Sequence, residues 1–371
     1  MDTSAATRMT PTTPERILAT SHNRGALLRE ERHPNAVTAP PINRGSMVPR
    51  PWRGFWNSIG TAVLSTASRA LPPRTPAAAT TAAKRGHKVT LFEADDKVGG
   101  QFNYAKRIPG KEEFYETLRY YQRQIEILGI ELKLNTRVDA DVLGEQGFDD
   151  VIIATGVKPR TPRIDGIDHP KVLGYLDVLR HNKPVGQSVA VIGAGGIGFD
   201  VSEFLTHEFG HHPEGEQVSM ADWQAEWGVD PQFDGPGGLA ERKPTSSPRK
   251  IYLMQRKTSK VGGGLGKTSG WVHRNSLKHR DVEMLRGCSY EKIDDDGLHI
   301  TLSDKDGKVT ESKVLAVDNV IICAGQEPFR ALFDDLVNRG IQTHLIGGAD
   351  VAEELDAKRA IRQGTEVAAR I

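Results

Sequence analysis

The chain has 371 residues, with 49 Lys and Arg against 48 Asp and Glu, for a net charge of +1. This length can hold two or three domains with substantial cores, and the balanced charge gives no argument for nucleic acid as a partner. Two cysteines cannot build a disulfide framework, and no apolar run approaches a membrane span. We therefore expect a cytoplasmic protein without a membrane partner.

Residues 1–76 differ in composition from the rest of the chain. They hold ten of the 21 prolines and ten arginines, but no lysine and only four acidic residues, for a net charge of +6. They show no sustained period of 2 or 3.6, apart from a weakly apolar patch at Phe55–Leu64. We interpret the segment as a disordered extension. The alternative of a transit peptide is weakened by three acidic residues, Glu15, Glu30 and Glu31.

Regular structure is predicted from Ala77 onward. A helix over Ala77–Arg85, followed by a strand over Lys88–Phe92 that ends in Glu93, is typical of the second half of a dinucleotide-binding βαβ unit. Glu93 is placed to bind a ribose hydroxyl. The first strand and the Gly-rich turn of the unit are missing, because residues 68–76 read Ser-Arg-Ala-Leu-Pro-Pro-Arg-Thr-Pro and cannot cradle a pyrophosphate. This absence argues against tight binding of a dinucleotide here.

The central motif of the sequence is Gly-Ala-Gly-Gly-Ile-Gly at residues 193–198. It follows the β-branched run Val189–Ile192 and precedes apolar residues at helical spacing, which predicts strand, turn and helix. In this context Gly193 makes the tight turn, Gly195 lets the backbone approach a pyrophosphate, and Gly198 lets helix and strand pack closely. We predict a dinucleotide site; the alternative is a Gly-rich turn without a ligand.

The end of the next predicted strand distinguishes NADPH from NADH. It reads Gln255-Arg256-Lys257, where an NADH site carries an acidic residue for the ribose hydroxyls. Two cations suit a 2′-phosphate, so Arg256 and Lys257 are predicted to bind NADPH. The alternative is a pair of solvated surface charges. Residues 207–248 are inserted before this strand, and we expect them to form a surface excursion that caps the nucleotide cleft.

Other reactive residues are given structural interpretations. The stretch 207–211, His-Glu-Phe-Gly-His, matches the HExxH zinc motif. We predict a helix end there and no metal site, because Gly and Pro residues follow at once. Cys323 is predicted to be a small core residue. His273 is a minor candidate for a functional role near the cofactor cleft, and no catalytic residue is assigned.

Several blocks of sequence resemble one family over about four fifths of the chain, from Ala77 to Ile371. The resemblance is to the C-terminal part of bacterial NADPH-dependent 2,4-dienoyl-CoA reductases, flavoproteins related to trimethylamine dehydrogenase and enoate reductases. The blocks are Gly99-Gly100-Gln101-Phe102-Asn103, Ile108-Pro109-Gly110-Lys111-Glu112-Glu113-Phe114, Ile164 to Val172, Gly193 to Asp200, Gly266-Lys267-Thr268-Ser269-Gly270-Trp271 and Ile321 to Pro328.

The resemblance implies an α/β fold with two interleaved Rossmann-like domains, as in disulfide reductases. An FAD domain in two parts, residues 77–184 and 315–371, would hold an inserted NADPH domain, residues 185–314. Hydride would pass from NADPH to FAD, and in the family onward to an iron–sulfur cluster, FMN and an unsaturated fatty acyl-CoA of β-oxidation.

The resemblance also implies roles for single residues. Glu93 would hold the FAD ribose, and Asp350 would take a ribityl hydroxyl. Gln101 and the turn at Thr155 and Gly156 would line the flavin. The NADPH domain would bind its cofactor through the Gly-rich turn and Arg256.

Family members begin with a TIM barrel that binds FMN, followed by a cysteine cluster. Neither is expected here, because residues 1–76 are too few and contain no Cys. A barrel-containing partner chain or another electron acceptor is one consequence. Another hypothesis is that residues 1–76 are translated out of frame, because a shifted reading of codons compatible with Pro72–Pro76 can give Pro-x-Gly-Leu, the end of the missing turn. Upstream DNA without a barrel coding sequence would exclude it.

Two functions follow from these residues. In the first, the chain is a truncated NADPH-dependent flavin oxidoreductase similar to 2,4-dienoyl-CoA reductase. In the second, it is an inactive NADPH-binding remnant without flavin. The missing turn before Ala77 favours the second, whereas the family resemblance favours the first. We predict the first function and keep the second as the alternative.

Overall fold

The computed structural model describes residues 60–65, 74–208, 219–352 and 357–371. In chain order, the β-strands of this part are β1 Gly60–Ser65, β2 Lys88–Glu93, β3 Glu131–Lys133, β4 Asp150–Ile153, β5 Val157–Pro159, β6 Val172–Gly174, β7 Ser188–Ile192, β8 Lys250–Met254, β9 Glu283–Leu285, β10 Cys288–Asp294, β11 Gly297–Ser303, β12 Val309–Leu315, β13 Asn319–Ile322, β14 Gln326–Pro328 and β15 Gln342–Leu345. The α-helices are α1 Arg74–Lys84, α2 Phe102–Ala105, α3 Phe114–Ile127, α4 Ala140–Glu145, α5 Tyr175–Leu179, α6 Gly196–Leu205, α7 Met220–Trp227, α8 Gly270–His279, α9 Ala331–Asn338 and α10 Ala357–Ala368.

The first sheet has five parallel strands in the order β15-β4-β1-β2-β3. Its centre is β1, which pairs with β2 from Gly60 opposite Lys88 to Ser65 opposite Glu93, and with β4 on its other side. The prediction that the first strand is missing is therefore wrong. It was missed because only two of its six residues, Thr61 and Val63, are β-branched, and prolines and arginines surround it.

The helix that follows β1 also begins earlier than predicted, at Arg74 rather than Ala77. Pro76 occupies its first turn, where backbone N–H groups have no partner inside the helix and a proline is tolerated. The rest of the predicted extension, residues 1–59 and 66–73, lies outside the described residues.

Two buried clusters cover the faces of this sheet. On one face, alanines of α1 allow the helix to lie close to the strands, with Ile125 of α3 and Ala368 of α10 beside them. On the other face, Phe92 and Ile153 pack on Leu143 of α4 and Leu336 of α9. Burial of both faces is typical of a parallel sheet.

The second sheet is also parallel, in the order β6-β13-β7-β8-β9. Alternate residues of β7 face opposite ways: Val189 and Val191 pack on α6 and α8, whereas Ala190 and Ile192 pack on the antiparallel sheet β10-β11-β12. The two strands predicted here, at residues 189–192 and directly before Gln255, are β7 and β8.

The sheets correct the predicted domain bounds. Both β6, predicted as part of the FAD domain 77–184, and β13, predicted in 315–371, belong to the sheet of the inserted domain 185–314. The chain passes between the two domains at the two-stranded antiparallel ribbon of β5 and β14, where Lys158 lies opposite Glu327. The error arose because β13 has the same buried pattern as β4.

The insertion between α6 and β8 contains α7. Its anchoring contacts are with the C-terminal end of α8: the Arg280 guanidinium donates to Glu226 at 2.9 Å, and the Trp227 ring meets the His279 ring edge to face. The N-terminal half of α8 lies instead against the loop at Gly262, where Arg274 donates to the Gly262 carbonyl at 2.9 Å. The expectation that the insertion caps the nucleotide cleft is not supported by these contacts.

The fold is therefore the predicted α/β architecture of two interleaved Rossmann-like domains. None of the described helices is long and apolar enough to cross a membrane.

Candidate functional site: two dinucleotide edges

The turn after β7 has the geometry of a dinucleotide cradle. Gly193 has φ of +112°, and a Cβ there would lie 2.4 Å from the Cys323 carbonyl oxygen; a Cβ at Gly198 would lie 1.7 Å from the Gly193 carbonyl oxygen. Both positions require glycine. A Cβ at Gly195 or Gly196, in contrast, would meet nothing within 4 Å, so space remains beside the N-terminus of α6, where N–H groups and the helix dipole favour a phosphate.

The geometry at the three glycines differs, and their roles in binding a pyrophosphate stay a prediction. Gly193 and Gly198 bring strand and helix together, and Gly195 leaves the backbone open to a ligand. The residues present fit the pyrophosphate of a dinucleotide.

Arg256 and Lys257 follow the C-terminal end of β8, next to the strand that carries the turn. Both side chains are exposed. Residues 255–260 contain three cations, two hydroxyl side chains and no acidic residue. The structure thus brings the two predicted cations to the same sheet edge as the Gly-rich turn, since carboxyl ends of parallel strands share one edge.

The predicted FAD residues meet at the corresponding edge of the first sheet. Glu93 ends β2, Thr155 and Gly156 follow β4, and Asp350 follows β15. These three strands run parallel to one another. Gln101 lies farther on, immediately before α2. The structure therefore brings the first four to the same edge, although no sequence pattern shows that their strands are neighbours.

Existing hydrogen bonds limit what each of these side chains can do. Glu93 is 2% exposed and its carboxylate accepts a hydrogen bond from the Asp95 N–H at 3.0 Å. The Thr155 hydroxyl donates to the Phe329 carbonyl, and the Phe329 N–H donates to the Gly156 carbonyl at 2.9 Å. The Thr155 proton therefore fixes the turn between β4 and β5, and a flavin contact could use only its oxygen lone pairs.

Asp350 is held by a glutamine of α10. The Gln363 amide donates to the Asp350 carboxylate at 2.9 Å, and its oxygen accepts from the Gly347 N–H at 2.5 Å. Gln363 thereby fixes the turn that carries Asp350. Sequence reasoning missed this clamp, because Gln363 is 13 residues away along the chain.

The cradle for a flavin pyrophosphate is the part of this edge that does not fit. Between Gly60 and Gly86 the sequence has no glycine, and Pro76 stands third in α1, where Gly198 stands third in α6. A side chain at that place opposes the close packing of turn and helix that the motif needs.

An ion pair links the connection between α2 and α3 to α6, the helix that follows the Gly-rich turn. Lys111, which follows α2, donates to Asp200 of α6 at 2.6 Å, and both side chains are about three quarters buried, with 27% and 22% exposed. Tyr104 and Ile108, from the same segment, belong to the apolar core of the second sheet. Sequence reasoning missed this contact between segments 89 residues apart.

His273, the minor candidate, lies beside this ion pair. Burial and the Lys111 charge lower the pKa of its imidazole, while Asp200 opposes them. The lowered pKa favours the neutral form of the ring at pH 7.

Both cysteines lie in the described part of the chain, and neither forms a disulfide. Burial raises the pKa of Cys288 to about 11 and raises that of Cys323 further above its ordinary range. Cys288 is in β10 and Cys323 follows β13. The chain therefore has no paired, ionisable thiols with which to reduce a disulfide.

The only carboxylate and imidazole cluster with metal-ligand spacing in the described residues is Asp294, Asp296 and His299, within 4.8 Å of one another on the β10–β11 hairpin. Asp294 already pairs with Lys292 at 2.7 Å and with His299 at 2.9 Å. Hydrogen bonds from these two partners hold the pKa of Asp294 well below its usual range. The HExxH stretch lies at the end of α6, as predicted; residues 209–211 lie outside the described residues.

Two parallel sheets with nucleotide-binding types of edge, connected by the ribbon of β5 and β14, are typical of nucleotide-dependent oxidoreductases. Residues 76–359 match the family of pyridine nucleotide-disulphide oxidoreductases, and the chain belongs to that family.

Among curated proteins, the chain is 26% identical to a metal reductase of Desulforamulus reducens over 72% of this chain and 38% of that protein. It is 28% identical to a bilirubin reductase of Mediterraneibacter gnavus over 77% of this chain and 37% of that protein. Among solved structures, a 2-naphthoyl-CoA reductase in complex with 2-naphthoyl-CoA has a TM-score of 0.66 at 25% identity, over 84% of this chain and 39% of that chain. The chain thus spans about two fifths of these relatives.

Proposed function

We propose that this chain is the NADPH-binding half-reaction unit of a flavin-dependent reductase similar to 2,4-dienoyl-CoA reductase. The observation that carries the proposal is the turn at 193–198, with open space at Gly195 and exposed cations after β8. Similarity to a reductase crystallised with an aryl-CoA supports an acyl-CoA as the final substrate.

When bound, NADPH would supply a hydride and FAD would accept it. The chain's own residues bind and orient. The N-terminus of α6 would hold the NADPH pyrophosphate, and Arg256 and Lys257 its 2′-phosphate. Glu93 would accept a hydrogen bond from a ribose hydroxyl of FAD. Gln101 would line the flavin, and Asp350 would bind a ribityl hydroxyl. The Lys111–Asp200 pair would keep the two nucleotide edges at a fixed separation, as hydride transfer requires.

Electrons would then pass from the flavin to an acceptor outside this chain. We propose that a partner with a barrel domain supplies this acceptor. We expect FMN and the iron–sulfur cluster to be bound outside the present chain.

A second candidate is an NADPH-binding protein without flavin. The glycine-free connection between β1 and α1 favours it, because a pyrophosphate needs close approach to the backbone. Both candidates share the NADPH site and differ only in the flavin.

The test is an absorbance spectrum after the purified chain is incubated with excess FAD and desalted, followed by anaerobic titration with NADPH. Retained flavin absorbance at about 450 nm that bleaches with NADPH supports the flavin reductase. A colourless protein that binds NADPH supports the second candidate. A chain that binds neither nucleotide contradicts both.

A further inference from the structure

Gln255, the residue directly after β8, has its backbone fixed on both sides. Its N–H donates to the Leu285 carbonyl at 3.0 Å, and its carbonyl accepts from the Cys288 N–H at 3.0 Å. These bonds hold the start of the loop 255–260 between β8 and the β9–β10 connection. The position of the side chain is therefore set by the sheet.

The side chain of Gln255 folds this loop back on itself. Its amide nitrogen donates to the Lys257 carbonyl at 3.0 Å and to the Ser259 carbonyl at 2.7 Å. The Lys257 carbonyl also accepts from the Gly287 N–H at 3.0 Å. With both carbonyls directed at the amide, the side chains of Arg256, Lys257 and Ser259 are exposed.

An acidic residue could not replace Gln255 in this arrangement. An ionised carboxylate has no donor, and it would face two carbonyl oxygens at hydrogen-bond distance. The residue type that binds ribose hydroxyls in an NADH site is thus incompatible with the folded loop. A glutamine at this position therefore has two effects: it places no acidic side chain beside the cofactor, and its amide holds the loop 255–260 folded.

We propose that Gln255 is the positioning residue that sets the cofactor preference of this site. By holding the loop 255–260 closed, it presents Arg256, Lys257 and Lys260, with the Thr258 and Ser259 hydroxyls, as a bracket for the 2′-phosphate. This inference depends on the proposed NADPH site. It adds that the preference depends on two amide hydrogen bonds as well as on the cations.

The test compares adenosine 2′,5′-bisphosphate with 5′-AMP by isothermal titration calorimetry on the full chain, so it requires neither flavin nor turnover. Gln255→Met keeps the length of the side chain and removes both donors. It should weaken the bisphosphate about tenfold while 5′-AMP changes less than about twofold. Gln255→Glu should weaken the bisphosphate further, because the carboxylate also repels the phosphate. Gln146→Met, at an exposed position after α4, is the matched control and should change neither.

The outcomes separate the inference from the proposed function. Wild-type chain that binds the bisphosphate more tightly, with Gln255→Met keeping that preference or losing both probes equally, overturns the inference alone. Wild-type chain that binds neither probe, or both equally, overturns the NADPH site and the inference with it. Should Gln255→Met fail to fold, Gln255→Asn, whose amide is one methylene too short to reach Ser259, carries the same expectation.

Discussion

The two parallel sheets differ at the connection from the first strand to its helix. Three residues, 193–195, join β7 to α6, whereas eight residues, 66–73, join β1 to α1. The first connection is rich in glycine, and the second contains none. Both strands nevertheless lie in the centre of five-stranded sheets. The strand order is therefore the same with a glycine-rich connection and with one that contains no glycine.

The largest effect is expected when the intact turn is damaged. In Gly198→Ala, a methyl group would lie 1.7 Å from the Gly193 carbonyl oxygen, so α6 must move away from β7. We expect NADPH affinity to fall at least 100-fold and unfolding free energy to fall by about 3 kcal/mol.

Titration calorimetry and urea denaturation measure the two effects of this substitution. Gly196→Ala, where the new methyl group meets nothing within 4 Å, is the matched control and should leave stability within about 0.5 kcal/mol of wild type. Equal stability of both variants would contradict the packing role of Gly198.

The reverse change should repair the other edge. Replacing residues 66–76 by Gly-Ala-Gly-Gly-Ile-Gly, the turn after β7, shortens the connection and places glycine third in α1. We expect this variant to retain FAD after desalting, measured as flavin absorbance per chain. The same variant with Glu93→Ala is the control and should retain less. No gain in flavin would mean that this edge lacks more than its turn.

A smaller effect is expected at the contact between the halves. Lys111→Met leaves the Asp200 carboxylate partly buried without its cation, which should cost about 2 kcal/mol of unfolding free energy. Adding Asp200→Asn should recover part of that loss, with a coupling of about 1 kcal/mol in a double-mutant cycle. Urea denaturation of wild type, the two single variants and the double variant measures this coupling. Strictly additive losses of unfolding free energy would show that Lys111 and Asp200 do not stabilise each other.

The smallest effect is expected in the pH dependence of stability, and it comes from a residue of the NADPH-binding half. Glu203 of α6 accepts from the Ser276 hydroxyl of α8 at 2.7 Å, and burial raises the pKa of its carboxyl group above the unfolded value. The folded state then binds the proton more tightly, so this group's contribution to stability is full below the unfolded pKa of about 4.5 and is lost as pH rises through the higher folded pKa.

Glu203→Gln removes that loss and keeps an acceptor for Ser276. Its melting temperature should exceed that of wild type by about 2 °C at pH 7 and match it at pH 4. Scanning calorimetry at both values makes the comparison. A lower melting temperature than wild type at pH 7 would show that the ionised carboxylate stabilises the helix pair.

The sequence predicted those features that depend on local pattern. The run from Val189 through Gly198 specifies strand, turn and helix by itself, and Glu93 is identified by the strand that precedes it. β1 was missed because its six residues, Gly60–Ser65, have no amphipathic period and become a strand only by pairing on both sides. Tertiary pairing overrides weak local signals.

The parts of the site that were missed depend on contacts between distant segments. Gln363 reaches Asp350 from another helix, and Lys111 meets Asp200 across 89 residues. Gln255 was noted only as the absence of an acid, because its two hydrogen bonds depend on how the following loop folds. Such roles depend on contacts that form only when the chain folds, and no periodic pattern in a single sequence indicates them.

The attachment of the insertion to the far end of α8 has a practical consequence. Trp223 of α7 is 46% exposed, and the neighbouring Phe233 and Leu239 are 76% and 72% exposed. Because these residues are anchored through Glu226 and Trp227 at the end of α8 remote from the Gly262 loop, a fluorescent label or an affinity handle placed there should report on the chain without disturbing nucleotide binding. The same segment offers a place where crystal contacts can be engineered.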